Sequence, residues 1–200
     1  MAATAYRAAA FTSQRYYIRR KLLALVNQFY VENEQGQLVG YCRQKPFKLK
    51  EDVRLFTDEN RTTELLSMQA RSILDFNIAY DVVDSITGEK VGALKRKGWK
   101  SLFKDEWIIM NGLDQEIGSV KEDSALMATL RRYVTNLIPQ SYVFEVGNHQ
   151  VGTAKQNFNL FAPKLNVDFS SDQANLLDRR LGLAAALLLM SIEGRQSENA

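Results

Sequence analysis

The sequence predicts a mainly β fold: a closed antiparallel β-barrel of about twelve strands around a buried hydrophobic C-terminal α-helix, with one extra amphipathic helix on its surface. Three observations predict it. Leu181, Leu183, Leu187, Leu188, Leu189, Met190 and Ile192 are spread so evenly around a helix of roughly 100° per residue that no face is left for water. Further upstream, a hairpin pattern occurs four times, each copy with an aromatic and β-branched strand, a polar turn and a return strand that closes on Gly40, Gly92, Gly118 or Gly152. Between the hairpins, apolar and polar residues alternate, with Phe76, Ile78, Tyr80 and Val82 on one face and Asn77 and Asp81 on the other.

The totals suit one domain. Two hundred residues, 46% of them hydrophobic, are enough to bury a core without metals or disulfides. The expected boundaries are a disordered tail over 1–13, a single barrel domain over 14–192 and a second disordered tail over 193–200. A net charge of +3, from 26 basic and 23 acidic side chains, is far from the dense positive field of a nucleic-acid binder, so no nucleic acid is expected as a partner and any basic patch must be local. Cys42 is the only cysteine, which rules out an internal disulfide or a thiolate metal site and favours a cytoplasmic setting. Arg7, Arg15, Arg19, Arg20 and Lys21 all precede the first acidic residue, Glu32, as in an organellar presequence. Against targeting, folded chain is already expected from Tyr16, and no apolar stretch follows a basic start.

Taken in order, Tyr17 to Val31 fits helix or strand until Phe29, Tyr30 and Val31 run into a polar turn and then Leu38, Val39 and Gly40, which makes a hairpin. The same design returns over Tyr80–Gly92, Trp107–Gly118 and Tyr142–Gly152. Glycine at the end of each return strand predicts a bulge or a close backbone approach in a bending sheet. The copies are too unevenly spaced for a solenoid or propeller, so one meandering sheet is expected. Leu165, Val167 and Phe169 alternate with Lys164, Asn166 and Asp168 in the last strand. A sheet of ten to twelve strands tends to curl, and closing it removes its exposed edges. The apolar helix then fills the interior: Leu181 to Ile192 spans only about 18 Å against a hydrocarbon core of ~30 Å, so protein encloses it better than lipid. One insertion breaks the β pattern, where Leu126, Leu130, Tyr133, Val134, Leu137 and Ile138 recur at three and four before Pro139, as in an amphipathic surface helix. Ser170, Ser171 or Asp172 is expected to cap the final helix. Arg179 and Arg180 are expected at the barrel mouth, paired, because an unpaired buried charge is very costly.

The turn-and-return units ending in Val39-Gly40, Val91-Gly92 and Val151-Gly152, the opening Ile18 to Leu22, the run Leu137 to Tyr142 before a strand and the finishing helix carry a resemblance. In their order over about Tyr16 to Ile192 they resemble the tubby C-terminal-like superfamily, most closely its LURP-one-related branch. That resemblance implies a twelve-stranded barrel enclosing a hydrophobic C-terminal helix. It also implies lipid: tubby proteins bind phosphoinositides through basic residues on the barrel, and the similar phospholipid scramblases are associated with membranes and calcium. The tubby lipid-binding residues have no position-by-position match here. Asp168, Ser170 and Asp172 have the odd spacing of a calcium loop, but Gln173 replaces the needed glycine and Arg179 stands where the bidentate glutamate belongs, so no metal is expected.

The candidate lipid-headgroup residues are two basic clusters and a pair. Lys95, Arg96, Lys97 and Lys100 surround a glycine turn with Trp99, a combination that suits an anionic membrane interface. Arg43, Lys45 and Lys48 hold the corresponding place in the first hairpin unit, and Arg131 and Arg132 lie on the expected surface helix. The competing reading is that these are solvated strand cations that discourage edge pairing. For catalysis the inventory is thin. His149 is the only histidine and lies in an expected turn, with no serine elbow, Cys-His arrangement or phosphate loop beside it. No catalytic residue, metal or cofactor is therefore assigned. The sequence points to a non-catalytic barrel at an anionic phospholipid or membrane surface, cytoplasmic and peripheral, with phosphoinositide recognition if the clusters converge. Two other readings stand beside it: a soluble protein-interaction scaffold using the Leu126–Ile138 helix, and a scramblase-like membrane-associated protein.

Overall fold

The computed structural model describes residues 10–21, 27–44, 52–72, 78–97, 106–123, 140–157 and 164–192. They form β1 (Arg15–Arg20), β2 (Gln28–Asn33), β3 (Leu38–Gln44), β4 (Asp52–Phe56), β5 (Glu64–Ala70) and β6 (Ala79–Asp84). The chain continues with β7 (Lys90–Arg96), β8 (Glu106–Asn111), β9 (Glu116–Glu122), β10 (Ser141–Val146), β11 (His149–Gln156), β12 (Lys164–Asp168) and a C-terminal helix, α1 (Arg179–Ile192). Each strand pairs antiparallel with its sequence neighbours, and β1 pairs with β12 to close a twelve-strand barrel. In the closing pair Tyr16 stands opposite Val167 and Ile18 opposite Leu165, so both strands turn their apolar sets to one side. The amphipathic helix expected over Leu126–Ile138 and the tail over 193–200 lie outside the described residues.

Among the described residues, five hairpins rather than four build the wall. β4–β5 is the additional one; its return strand has no glycine, and its turn, Thr57 to Thr63, is longer than the rest. The turns share a device: the side-chain oxygen of Asn33 accepts the N–H groups of Gln35 and Gln37 at 3.1 and 2.9 Å, and that of Asn111 accepts those of Leu113 and Gln115 at 3.0 Å each. Asp84 does the same for Ile86 and Thr87. Such short polar side chains reverse the chain by holding backbone donors two to four residues on. Each hairpin also carries a bulge, and in four of them the glycine singled out in the sequence is paired there: Val31 with Gly40, Val82 with Gly92, Ile109 with Gly118 and Phe144 with Gly152. Bulges add local bend and twist, which a closing sheet requires.

One apolar cluster joins a single face of the wall to α1. It contains Tyr16, Phe29, Leu55, Met68, Leu94, Ile109, Phe144 and Val167 from the strands, together with Leu181, Leu183, Leu187 and Leu188 from the helix. Every described α1 side chain from Leu181 to Ser191 is buried. At its start, Arg180 donates to Asp84 at 2.9 Å and to Glu89 at 2.7 Å, both at the β6–β7 turn, and pairs with Asp178. Near its end, the Ser191 carbonyl accepts from the Asn27 side chain at 3.4 Å, beside the start of β2. The two arginines are thus paired as expected, Arg179 with Asp172 at 2.9 Å. The capping residue differs from the sequence reading. Asp178 caps α1 by accepting the Arg180 N–H, whereas Asp172 holds the N–H groups of Leu176 and Leu177 in a preceding turn. At the other terminus Ala10 is buried in the core, so the chain is packed within the stretch read as a tail.

Cys42 lies on the apolar face of β3, fully buried, and that burial pushes its thiol well above the usual cysteine range. The native protein is therefore expected to resist a thiol reagent that labels the denatured chain completely. Rapid stoichiometric labelling without denaturant would contradict this wall.

Candidate functional site

An up-and-down barrel sorts its connections by strand parity: chain that follows odd-numbered strands leaves at one end, and chain that follows even-numbered strands at the other. At the first end, every odd-numbered strand has a cation at, or one residue from, its last position. Arg20 ends β1 and Lys21 follows it, Arg43 is next to last in β3, and Arg71 follows β5. Arg96 ends β7 between Lys95 and Lys97, Lys121 and Lys155 are next to last in β9 and β11, and Lys164 opens β12 at the same rim. The opposite end is acidic, with Glu34, Asp58, Glu59, Glu89, Asp114, Asp172 and Asp178 on the connections after even-numbered strands, against Arg61.

Local packing aims these rim cations outward. Arg43 sits between buried Cys42 and Gln44, Lys95 follows buried Leu94, Lys155 follows buried Ala154, and Lys164 precedes buried Leu165, so the alternation puts all four on the outer face. Several rim cations are neutralised. Lys97 pairs with Glu106 at 3.0 Å, Lys121 with Glu145 at 3.1 Å, and Arg71 with Asp81 at 2.6 Å and with Asp114, whose β8–β9 turn reaches back to it. Lys21 reaches Glu59 at 2.7 Å, where the β4–β5 turn folds along the wall. Hydrogen bonds from Lys21 and then Tyr30 hold the Glu59 carboxyl below the usual carboxylate range. Among the described residues, Arg43, Lys95, Lys155 and Lys164 make no ion pair.

Of the residues singled out in the sequence, Arg43, Lys95, Arg96 and Lys97 are described and lie at this rim. Lys45, Lys48, Trp99, Lys100, Arg131 and Arg132 lie outside the described residues. The strand ends that flank them, Gln44 and Asp52, Arg96 and Glu106, and Glu122 and Ser141, are all at the same end. Arg43 and Lys95 stand four strands apart around the wall, about 19 Å at ~4.8 Å per strand. They belong to one rim rather than to one concavity. Sequence reasoning missed Lys121, Lys155 and Lys164, each close to the end of an alternating run, because their shared end becomes visible only with strand direction.

For metals, the described residues contain no group of three or more His, Cys, Asp or Glu side chains able to hold an ion. Asp168 is occupied by Arg15 at 3.0 Å and the Ser170 N–H at 2.8 Å, and Asp172 by the Arg179 guanidinium and two backbone donors. His149 is exposed at the start of β11. No described helix is long and apolar enough to cross a membrane. Comparison of the chain with protein-family models, with curated proteins and with solved structures gives no match.

Proposed function

We propose that this chain is a non-catalytic, peripheral membrane-binding barrel whose basic rim docks on an anionic phospholipid surface. The observation that carries the reading is that each of the six odd-numbered strands has a Lys or Arg at, or one residue from, its last position, all at one end. Anionic membranes attract cations near their surface at about 1 kcal/mol each.

The second part of the reading concerns the interior. A helix buried on all sides and tied to the β6–β7 turn at one end and to Asn27 at the other is best explained by α1 threading the closed wall. Filled in this way, the barrel is read as meeting lipid from outside. A helix-filled twelve-strand barrel is also the layout implied by the resemblance to the tubby C-terminal-like superfamily and its LURP-one-related branch, which makes phosphoinositides the headgroups to test first.

Co-sedimentation with phosphatidylcholine vesicles, with and without phosphatidylserine or a phosphoinositide at matched charge, tests this. The protein is expected to pellet only with the anionic vesicles. Changing Lys95, Arg96, Lys97 and Lys100 together to glutamine is expected to weaken binding roughly a hundredfold, allowing for the cations already paired. A protein that stays in the supernatant, or a variant that pellets like the parent, removes the proposal.

A further inference from the structure

Resting on that membrane reading, we infer that the barrel stands upright on the surface, with the rim down and the hairpin turns pointing away. The unpaired outward cations decide the orientation. Arg43 is on β3, Lys95 on β7, and Lys155 and Lys164 on the adjacent strands β11 and β12. In a ring of twelve, β3, β7 and β11 are each four strands apart, so their outer faces point about a third of a turn from one another. A barrel lying on its side presents only neighbouring strands to a flat surface. It would engage Lys155 with Lys164, or Lys95 alone, or Arg43 alone. Standing on the rim, it brings all four within reach at once.

The acidic end favours the same pose. Glu34 and Glu116 are exposed beside hairpin turns, and three carboxylates, Asp84, Glu89 and Asp178, surround the single guanidinium of Arg180. Upright, these carboxylates face away from the lipid, while Glu59 and Asp114, whose turns reach back to the rim cations Lys21 and Arg71, are paired there. The Debye length at physiological salt is about 8 Å, so carboxylates that face away from the lipid are screened from it. On its side, the barrel would bring part of the acidic end within that length.

Two measurements on the full chain test the orientation. In the first, Arg43→Gln, Lys95→Gln, Lys155→Gln and Lys164→Gln are compared singly on phosphatidylcholine vesicles containing phosphatidylserine. Each is expected to weaken binding by about fivefold, the equivalent of one surface cation. In the second, a fluorophore is attached through Gln35→Cys at the exposed tip of the β2–β3 turn, while native Cys42 stays buried. The dye is expected to remain unquenched by a headgroup-linked quencher on vesicles that pellet the protein. Loss confined to one strand or to the Lys155–Lys164 pair, or strong quenching at position 35, overturns the upright pose and leaves membrane binding standing. Failure of the parent protein to pellet removes membrane binding itself, and the orientation with it.

Discussion

Gly118→Ala is expected to destabilise the barrel by about 3 kcal/mol, and to prevent folding if the remaining margin is small. A Cβ on Gly118 would lie 2.0 Å from the Glu145 carbonyl oxygen and 3.0 Å from the Val146 Cα. Both are backbone atoms of β10, fixed by pairing with β9 on one side and β11 on the other. A flexible side chain could swing away, but a laddered carbonyl can move only by breaking its strand. Gly92→Ala belongs to the same class, with its added carbon 2.2 Å from the Met110 carbonyl oxygen. Gly36→Ala is the useful contrast. It meets nothing within 4 Å, and its φ of 73° is the only obstacle, so it is expected to cost about 1 kcal/mol. Urea unfolding followed by tryptophan fluorescence gives the comparison. A Gly118→Ala midpoint equal to that of the parent would mean that β9 and β10 do not approach as described.

Arg180→Met is the second large effect, also about 3 kcal/mol. Its side chain is only 14% exposed and faces Asp84, whose side chain is completely buried. Methionine fills similar space but leaves that charge without its cation, and an uncompensated buried charge is among the costliest single changes. The loss is placed at the low end of the range because Asp84 keeps the Ile86 and Thr87 N–H groups. Adding Asp84→Asn to Arg180→Met is expected to recover much of the deficit, since neutralising both partners removes the stranded charge. If the double variant is less stable than Arg180→Met alone, Asp84 acts chiefly as the acceptor that shapes its turn. Arg179→Met probes the equivalent contact with Asp172, also buried, and with the Phe169 ring 5.0 Å from the guanidinium carbon.

The comparison of sequence with structure divides by the range of the interaction. Residues such as Tyr80, Val82 and Leu94 announce their burial through a period of two, and Leu181 to Met190 through apolar character on every side, because both patterns are local properties of the chain. The four glycines were legible for the same reason, each closing a return strand beside a hairpin turn. β4–β5 was missed because Leu65 and Leu66 stand where the other hairpins carry glycine, and the longer Thr57–Thr63 turn hides the reversal. The cap of α1 was misplaced by six or more residues. Ser170, Ser171, Asp172 and Asp178 all offer a suitable oxygen, and only the packed turn at Asp172 shows which of them is already committed to Leu176 and Leu177.

The candidate site shows the same division more sharply. Alternation, hairpin punctuation and an all-apolar final segment are written in neighbouring residues, and they determined by themselves that this chain makes antiparallel strands and a buried terminal helix. Closure was expected from the number of strands, but the β4–β5 hairpin and the gathering of Arg43, Lys95, Lys155 and Lys164 at one rim were decided only in three dimensions. Which end a strand terminus reaches depends on the direction of every strand before it, and which cations stay unpaired depends on acids brought close by pairing across the wall. Neither quantity belongs to any short window of sequence, because electrostatic contact follows distance in space while the chain records only order.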